Sequence, residues 1–302
     1  MMKIGVVIVT HNRKEKLHRC LAAYEKQILP PDILFVVDNA CTDGSSEFLD
    51  QWCAEVDSGK YKRVVIHSTQ NLGGAGGFAL GIKNAIDYDI DWIWVADDDA
   101  YPETNCFSCL GDYYSQLNFD EQRNTVALCA QVTEPAGIAI LHRRKIKRGT
   151  LAIKEIPVSK EKYNANTFEI DLFSFVGTLI RKDIILNEGL PNQEFFIWYD
   201  DSEYSLRIGR NGKMICVTDA VIYHDSMEKS LQKKSWKYYY LFRNKLYMYF
   251  HYFDYRYYLV EKCKIIYMIF KYYNCPYTWK QFFGAVQDVK RGRLGVNTKY
   301  LP

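Results

Sequence analysis

Three adjacent carboxylates, Asp97-Asp98-Asp99, follow directly on Trp92 to Ala96, an apolar run that reads as a buried strand. Neighbouring like charges repel unless a cation holds them. Strand alternation puts Asp97 and Asp99 on one side, where they can bind a hard divalent metal. Such a metal would bridge a diphosphate and neutralise charge on a leaving group. A solvated acidic turn is the competing reading, and the strand immediately before it argues against that. A second acidic group, Asp200, Asp201 and Glu203, sits beside Trp198 and Tyr199 and after Phe195-Phe196-Ile197. Desolvation among aromatics disfavours charge, which suits one of these carboxylates to general-base work. His224 ends the short run Ala220 to His224. A lone His is more often structural, and only its partnership with the acidic motifs makes it a candidate.

Three further motifs could bind a nucleotide. Thr10-His11-Asn12-Arg13 follows an apolar run and offers backbone N–H groups and a guanidinium to phosphate; a polar helix cap explains it as well. Val36-Val37-Asp38-Asn39 ends another run with a carboxylate suited to a base or ribose, although the residues after it also make an ordinary turn. Asn71 to Gly77 holds four glycines, which permit close backbone approach to a ligand. Gly74-x-Gly76-x-x-Ala79 imitates a dinucleotide fingerprint, so a nicotinamide-dependent oxidoreductase is a rival. It follows the third strand rather than the first, and leaves the acidic motifs and His224 unexplained. A non-catalytic sugar-nucleotide-binding protein is the other rival.

The elements that must position these residues alternate. Strands are expected at Lys3 to Thr10, Ile33 to Asp38, Arg63 to His67 and Trp92 to Ala96. Helices are expected near Arg13 to Gln27, from Ser45 or Ser46 to Trp52, and from Phe78 to Ile86. This is an α/β pattern with a parallel sheet, and the motifs fall at the C-terminal ends of its strands, where open sheets bind ligands. Beyond Pro102 the pattern predicts a helix over Glu103 to Leu117 and strands at Val126 to Val132, Phe168 to Asp171 and Phe175 to Ile180. Trp198 to Gly209 reads as helical, Met214 to Val217 and Ala220 to His224 as short strands, and Arg143 to Asn166 as a polar loop. From Ser235 onward the chain reads as helices, broken near Asn274 to Pro276.

The 302 residues carry a net charge of +3, with 48% hydrophobic and 25% charged residues, which excludes a mainly disordered or collagenous chain. That total hides a split. Lys229 to Arg293 holds 14 Lys/Arg against 3 Asp/Glu, a local +11, so the rest is 3 − 11 = −8. Twelve of the 24 Tyr lie between Tyr238 and Tyr273. A basic, aromatic segment suits an anionic membrane surface, or packing on the body or on a second subunit as a homo-oligomer contact. No nucleic acid is expected, because the aromatics follow no recognition module. The nine Cys are odd in number and irregularly spaced, which fits free thiols in a reducing cytoplasm rather than a zinc site. The N-terminal apolar run is too short for a signal peptide, and no run of about 18 apolar residues predicts a membrane span.

Taken in order, VVIVTHNR, VVDNACTDG, NLGGAGGF, WIWVADDDAYP, WYDDSEYSLRIGRNGK and VIYHD resemble family 2 glycosyltransferases of the GT-A fold over about Met1 to Asp225. The galactofuranosyltransferase and rhamnosyltransferase branch is the most similar, and YYYLFRN (Tyr238 to Asn244) is familiar there. The resemblance implies a Rossmann-like, mixed and mostly parallel sheet with flanking helices. It places nucleotide-sugar binding in residues 1–100, an acceptor and catalytic half in 101–225, and a helical membrane-surface or oligomer segment in 226–302. It implies Thr10, Arg13, Asp38, Asn71 and Asp97 in the nucleotide-sugar site. Asp97, Asp99 and His224 would be the ligands of Mn²⁺ or Mg²⁺, and Asp201 the catalytic base. Trp198, Asp200 and Glu203 would stand on the acceptor side. The usual W-D-D-x-E spacing is broken here by Tyr199. The implied activity is an inverting transfer from UDP-galactofuranose to a lipid-linked glycan at the cytoplasmic face of a membrane. dTDP-rhamnose is the second donor and UDP-pyranoses follow.

Overall fold

The computed structural model describes residues 2–55, 61–226 and 235–301. The first hundred residues alternate as expected: β1 (Ile4–Thr10), α1 (Lys14–Glu25), β2 (Ile33–Asp38), α2 (Ser45–Ala54), β3 (Lys62–His67), α3 (Gly73–Ala85) and β4 (Trp92–Asp97). β1 pairs in parallel with both β2 and β4, and β2 with β3. β1, β2 and all but the last residue of β4 are buried throughout, as their continuous apolar runs require.

Short β5 (Ala100–Pro102) follows, then α4 (Cys106–Gln116), α5 (Phe119–Asn124), β6 (Thr125–Glu134), β7 (Gly137–Ile138), β8 (Arg143–Arg148), β9 (Ile153–Pro157), β10 (Thr167–Ile170), β11 (Leu172–Phe173) and β12 (Thr178–Arg181). Next come α6 (Lys182–Glu188), α7 (Asp200–Ile208) and β13 (Lys213–His224), before the helices α8 (Lys237–Tyr252), α9 (Tyr255–Tyr272) and α10 (Pro276–Lys290). The main sheet runs β10-β13-β6-β12-β4-β1-β2-β3, mixed but mostly parallel along that path. One buried cluster fills each face, with Trp94 and Leu128 in one and Phe35 and Tyr204 in the other.

Three expectations change. The two short strands before His224 are one strand, β13, whose register on β6 shifts between Val217 and Val221. The polar stretch Arg143 to Asn166 is not a loop: β8 and β9 pair antiparallel and β11 joins β8 in a second, three-stranded sheet. Its charged composition hides the strand because Arg143 is fully buried and spends its guanidinium on the carbonyls of Ala130, Val176 and Gly177. The glycine run, expected to precede a helix beginning at Phe78, is already helical. α3 starts at Gly73, and Gly77 and Gly81 lie against β1, where an added Cβ would come within 2.4 Å of Val9 Cγ1 and 2.3 Å of Val7 Cγ1.

The tyrosines of the C-terminal helices are mainly internal. Tyr238, Tyr239, Tyr240, Tyr249, Tyr257 and Tyr258 are buried in a third cluster that also takes Ile153 and Phe196 from the body. The expected outward presentation of rings is limited to Phe250 on α8, Tyr255, Tyr267, Phe270 and Tyr272 on α9, and Phe283 on α10, with Leu259, Tyr267 and Phe270 at helical spacing. Among the described residues no helix is long and apolar enough to cross a membrane. All nine cysteines are free.

Candidate active site

Sheet register brings distant residues together at the C-terminal ends of the strands. Asp97, the last residue of β4, is paired with Val9, one residue before Thr10. β5 runs antiparallel to β13 with His224 opposite Ala100, which sets the imidazole beside Asp99. β13 lies parallel to β6 with Tyr223 opposite Thr133, so Glu134 comes next to His224.

The ligand atoms of Asp97, Asp99 and His224 lie within 4.8 Å of one another. His224 Nε2 is 3.5 Å from Asp99 Oδ1, and its Nδ1 is 3.2 Å from Glu134 Oε1. Asp99 Oδ2 accepts from Arg13 Nη1 at 2.9 Å and Lys16 Nζ at 3.2 Å, whereas its buried Oδ1 makes no hydrogen bond among the described residues. Burial and then the charge of Asp99 push the Asp97 carboxyl up to about 7. Burial acts the same way on Asp99, but the nearby His224 imidazole, Arg13 and Lys16 outweigh it and bring that carboxyl down to about 2. Burial disfavours protonated His224, yet Asp99, Asp97 and Glu134 raise its proton affinity overall. Two oxygen donors, an imidazole and a buried oxygen without a hydrogen bond among the described residues suit a divalent cation such as Mn²⁺ or Mg²⁺. Glu134, hydrogen-bonded to Ser226 at 2.8 Å and close to His142 at 3.5 Å, orients the imidazole from behind.

The expected nucleotide-site residues take varied positions. Thr10 Oγ1 donates to Asp98 Oδ2 at 2.7 Å and Arg13 Nη1 to Asp98 Oδ1 at 3.0 Å, so both brace the middle aspartate of the triplet. Arg13 keeps half of its side chain exposed. Asp38 is turned inward and accepts from the Cys41 N–H at 2.9 Å and Ser46 Oγ at 2.6 Å, with His67 Nδ1 at 2.8 Å. Burial opposes the charge of Asp38, and these hydrogen bonds outweigh it and lower its proton affinity. Asn71 lies at the strand ends, with Nδ2 3.1 Å from His11 Nε2 and Oδ1 accepting from the Gly73 N–H at 2.8 Å.

The second acidic group opens α7. Asp200 and Asp201 are its first residues, and Tyr199 before them has a left-handed φ of 66°. Burial, the charge of Asp201 and then that of Asp97 raise the Asp200 carboxyl well above the usual range. Burial also raises Asp201, but Arg144 and the N–H and hydroxyl of Ser202 oppose it. Glu203, expected on the acceptor side, is instead engaged internally: Arg207 Nε and Nη2 donate to it at 2.9 and 3.1 Å, and Tyr252 donates its hydroxyl. Trp198 is partly exposed, with Lys237 Nζ 5.6 Å from its ring centre.

Sequence reasoning passed over Asp98, Lys16, Glu134, His142, Arg144 and the pair Arg243-Asn244. Lys16 stands one helical turn after Arg13, and Glu134 ends an apolar run in the manner of Asp38 and Asp97; those two signals were available. Arg144 was hidden by the reading of Arg143 to Asn166 as a loop.

The sequence profile described as glycosyl transferase family 2 matches residues 5–186. The galactofuranosyltransferase GlfT1 of Mycolicibacterium smegmatis is 30% identical over 210 residues, which cover 69% of this chain and 66% of that protein. Its namesake in Mycobacterium tuberculosis is 28% identical over 215 residues, covering 69% of this chain and 65% of that protein. The match thus spans slightly less than two thirds of these relatives' length. Among solved structures, GalNAc-T7 with UDP, GalNAc and Mn²⁺ aligns with a TM-score of 0.64 at 14% identity, over 96% of this chain and 57% of that one. Residues 1–349 of TarS from S. aureus align at 0.61 and 14%, over 95% and 80%. A Pyrobaculum calidifontis mannosyltransferase with GDP-Man and Mn²⁺ aligns at 0.57 and 16%, over 95% and 69%.

Proposed function

We propose, for a chain that belongs to glycosyl transferase family 2 and is a glycosyltransferase of the GT-A fold, an inverting, metal-dependent transfer of galactofuranose from UDP-galactofuranose to a hydroxyl of a lipid-linked glycan, in the building of a bacterial surface polysaccharide. The observation that carries the reading is the convergence of Asp97, Asp99 and His224, with the buried Asp99 Oδ1 facing His224 Nε2 at 3.5 Å and making no hydrogen bond among the described residues. A divalent cation held there would supply positive charge to the diphosphate as it leaves. Arg13 and Lys16 add two fixed cations at the same edge. Thr10 and Asp98 hold Arg13 in place through the buried Asp98 carboxylate.

Asp201 takes the proton from the acceptor hydroxyl as its oxygen bonds to the anomeric carbon and the bond to the diphosphate oxygen breaks. One displacement without a protein nucleophile inverts the configuration. Burial and two neighbouring carboxylates push Asp200 beside it toward its protonated form. The donor assignment draws on the relatives named galactofuranosyltransferase. dTDP-rhamnose is the second choice.

A donor panel with Mn²⁺, read as nucleotide release, tests this. UDP-galactofuranose is expected to be turned over fastest, with activity removed by a chelator and restored by Mn²⁺. Turnover of dTDP-rhamnose alone would overturn the donor, and full activity in chelator would overturn the metal.

The acceptor's lipid gives the basic helices a role at the membrane surface. The exposed stripe Leu259, Tyr267 and Phe270, beside exposed Lys264 and Lys271, offers rings and cations on one helix, as an anionic bilayer requires. The protein is expected to sediment with anionic vesicles at low salt and to be released at high salt. No sedimentation at low salt would remove this part of the reading and favour a contact between subunits.

A further inference from the structure

The backbone before the acidic pair is strained. Phe196, Trp198 and Tyr199 have φ of 65°, 64° and 66°, a left-handed region that bulky residues avoid. Three such residues within four positions persist only where surrounding groups hold them.

Two elements do so. On one side is the start of α3: the Ala75 N–H donates to the Phe196 carbonyl at 3.2 Å, and a Cβ on Gly73 would lie 2.0 Å from that oxygen. On the other is α8, from the segment outside the sheet. Asn244 is fully buried, and its Nδ2 lies 2.9 Å from each of the carbonyls of Phe195, Ile197 and Trp198. Its Oδ1 accepts from Arg243 Nε at 2.9 Å. Arg243, 1% exposed, gives Nη2 to the carbonyls of Glu194 at 3.0 Å and Phe195 at 3.1 Å, and Nη1 to that of Gly295. A guanidinium buried on carbonyls is costly to place, and here it satisfies turn carbonyls that no regular ladder could reach. The chain then passes from Tyr199 into Asp200 and Asp201, so the turn sets the direction in which the acidic pair leaves it.

We propose that Arg243 and Asn244 are positioning residues for Asp200 and Asp201: by locking the turn at 194–199 against the glycine-rich start of α3 they fix the acidic pair that follows it, so the C-terminal helices complete the active site. This rests on the glycosyl-transfer reading above. The motifs NLGGAGGF, WYDDSE and YYYLFRN thereby form one mechanical unit, with the strained turn clamped between the other two.

The test is a double-mutant cycle with Asn244→Ala and Asp201→Asn, read with the donor that the panel selects. Asn244→Ala is expected to fold, to lose about ten- to a hundredfold in kcat through misplacement of the carboxylates, and to keep its donor Kd in Mn²⁺. In the Asp201→Asn background it should add almost nothing, because the group it positions is already disabled. Full kcat in folded Asn244→Ala, a parallel loss of donor affinity, or losses that multiply in the double variant would each overturn the proposal. Arg243→Lys, which keeps the charge but not the fork, replaces Asn244→Ala if that variant does not fold; if neither folds, the pair is a folding element and the proposal fails. Undiminished turnover in Asp201→Asn alone would reject the base assignment instead, and the same cycle is then read with Asp200→Asn.

Discussion

Asp201→Asn is expected to lower kcat by about a hundred- to ten-thousandfold, the range that a positioned general base supplies, while the donor still binds with nearly unchanged affinity. The two halves of that result have different origins. Asp200 is buried and its neighbour Asp201 half-buried, so both cannot ionise freely, and the proton favours the carboxyl with less compensation. Asp200 has the added repulsion of Asp97, whereas Asp201 has the Ser202 N–H, the Ser202 hydroxyl at 3.0 Å and the field of Arg144. Arg144 is itself fixed, with Nη2 donating to Ser202 Oγ at 2.7 Å and Nη1 to Glu155 Oε2 at 2.6 Å. Both carboxyls are pushed up, and Asp201 is the one whose charge is better supported. Asn keeps the shape and can still accept from Ser202, so the variant tests proton transfer rather than packing. Calorimetric titration of the donor in Mn²⁺, beside single-turnover rates, separates the two effects. A fall in donor affinity comparable to the fall in rate would sink this division of labour, and a larger rate loss in Asp200→Asn would move the base by one residue.

What the sequence made legible follows from what each signal needs. The parallel half of the sheet was readable because β1, β2 and β4 are buried on both faces, and their composition alone marks them. The triplet at the end of β4 was readable for the same reason: a carboxylate cluster at the end of a buried strand has few structural explanations. β8 was not readable, since its polar residues find partners only after β6 and β12 are in place. Arg143 is satisfied by carbonyls at Ala130, Val176 and Gly177, distant in sequence. The glycine run was legible as a need for close approach, but not what it approaches. The answer is Val9, Val7 and the carbonyl of Phe196, rather than a ligand alone. Composition showed the tyrosines as an excess and suggested a surface. Most of the α8 rings are core, and the excess reflects a helical layer whose interior is aromatic.

The charge split of the chain also has a local counterpart in the site. The acidic edge at Asp97 to Asp99 is neutralised from α1 by Arg13 and Lys16, and His224 stands beside it on β13. Arg13 bridges Asp98 and Asp99 and Lys16 reaches Asp99 Oδ2, while Asp99 Oδ1 makes no hydrogen bond among the described residues. A site balanced in this way can accept a further positive charge and then a diphosphate, because Arg13 and Lys16 have exposed flanks from which to reach anionic oxygens.

That balance makes Asp99→Ala the sharper test of the metal assignment. Removing the side chain deletes one expected ligand, frees His224 Nε2 and releases Arg13 and Lys16 from one of their anionic partners. Arg13 still pairs with Asp98, and Lys16 still reaches Asp225, so the fold is expected to survive. Mn²⁺ affinity should fall by about a hundredfold or more, since even an outer partner of a metal ligand is worth about 10–100-fold. The two released cations remain at the mouth of the site and can meet a diphosphate directly. Donor binding is therefore expected to weaken in Mn²⁺ but to become insensitive to it, with equal Kd in Mn²⁺ and in chelator. The wild-type chain should bind donor far more tightly with the ion. Donor titrations under both conditions read this difference, and Asp99→Ala with intact Mn²⁺-dependent binding would refute the ligand role of Asp99 while leaving Asp201 untouched.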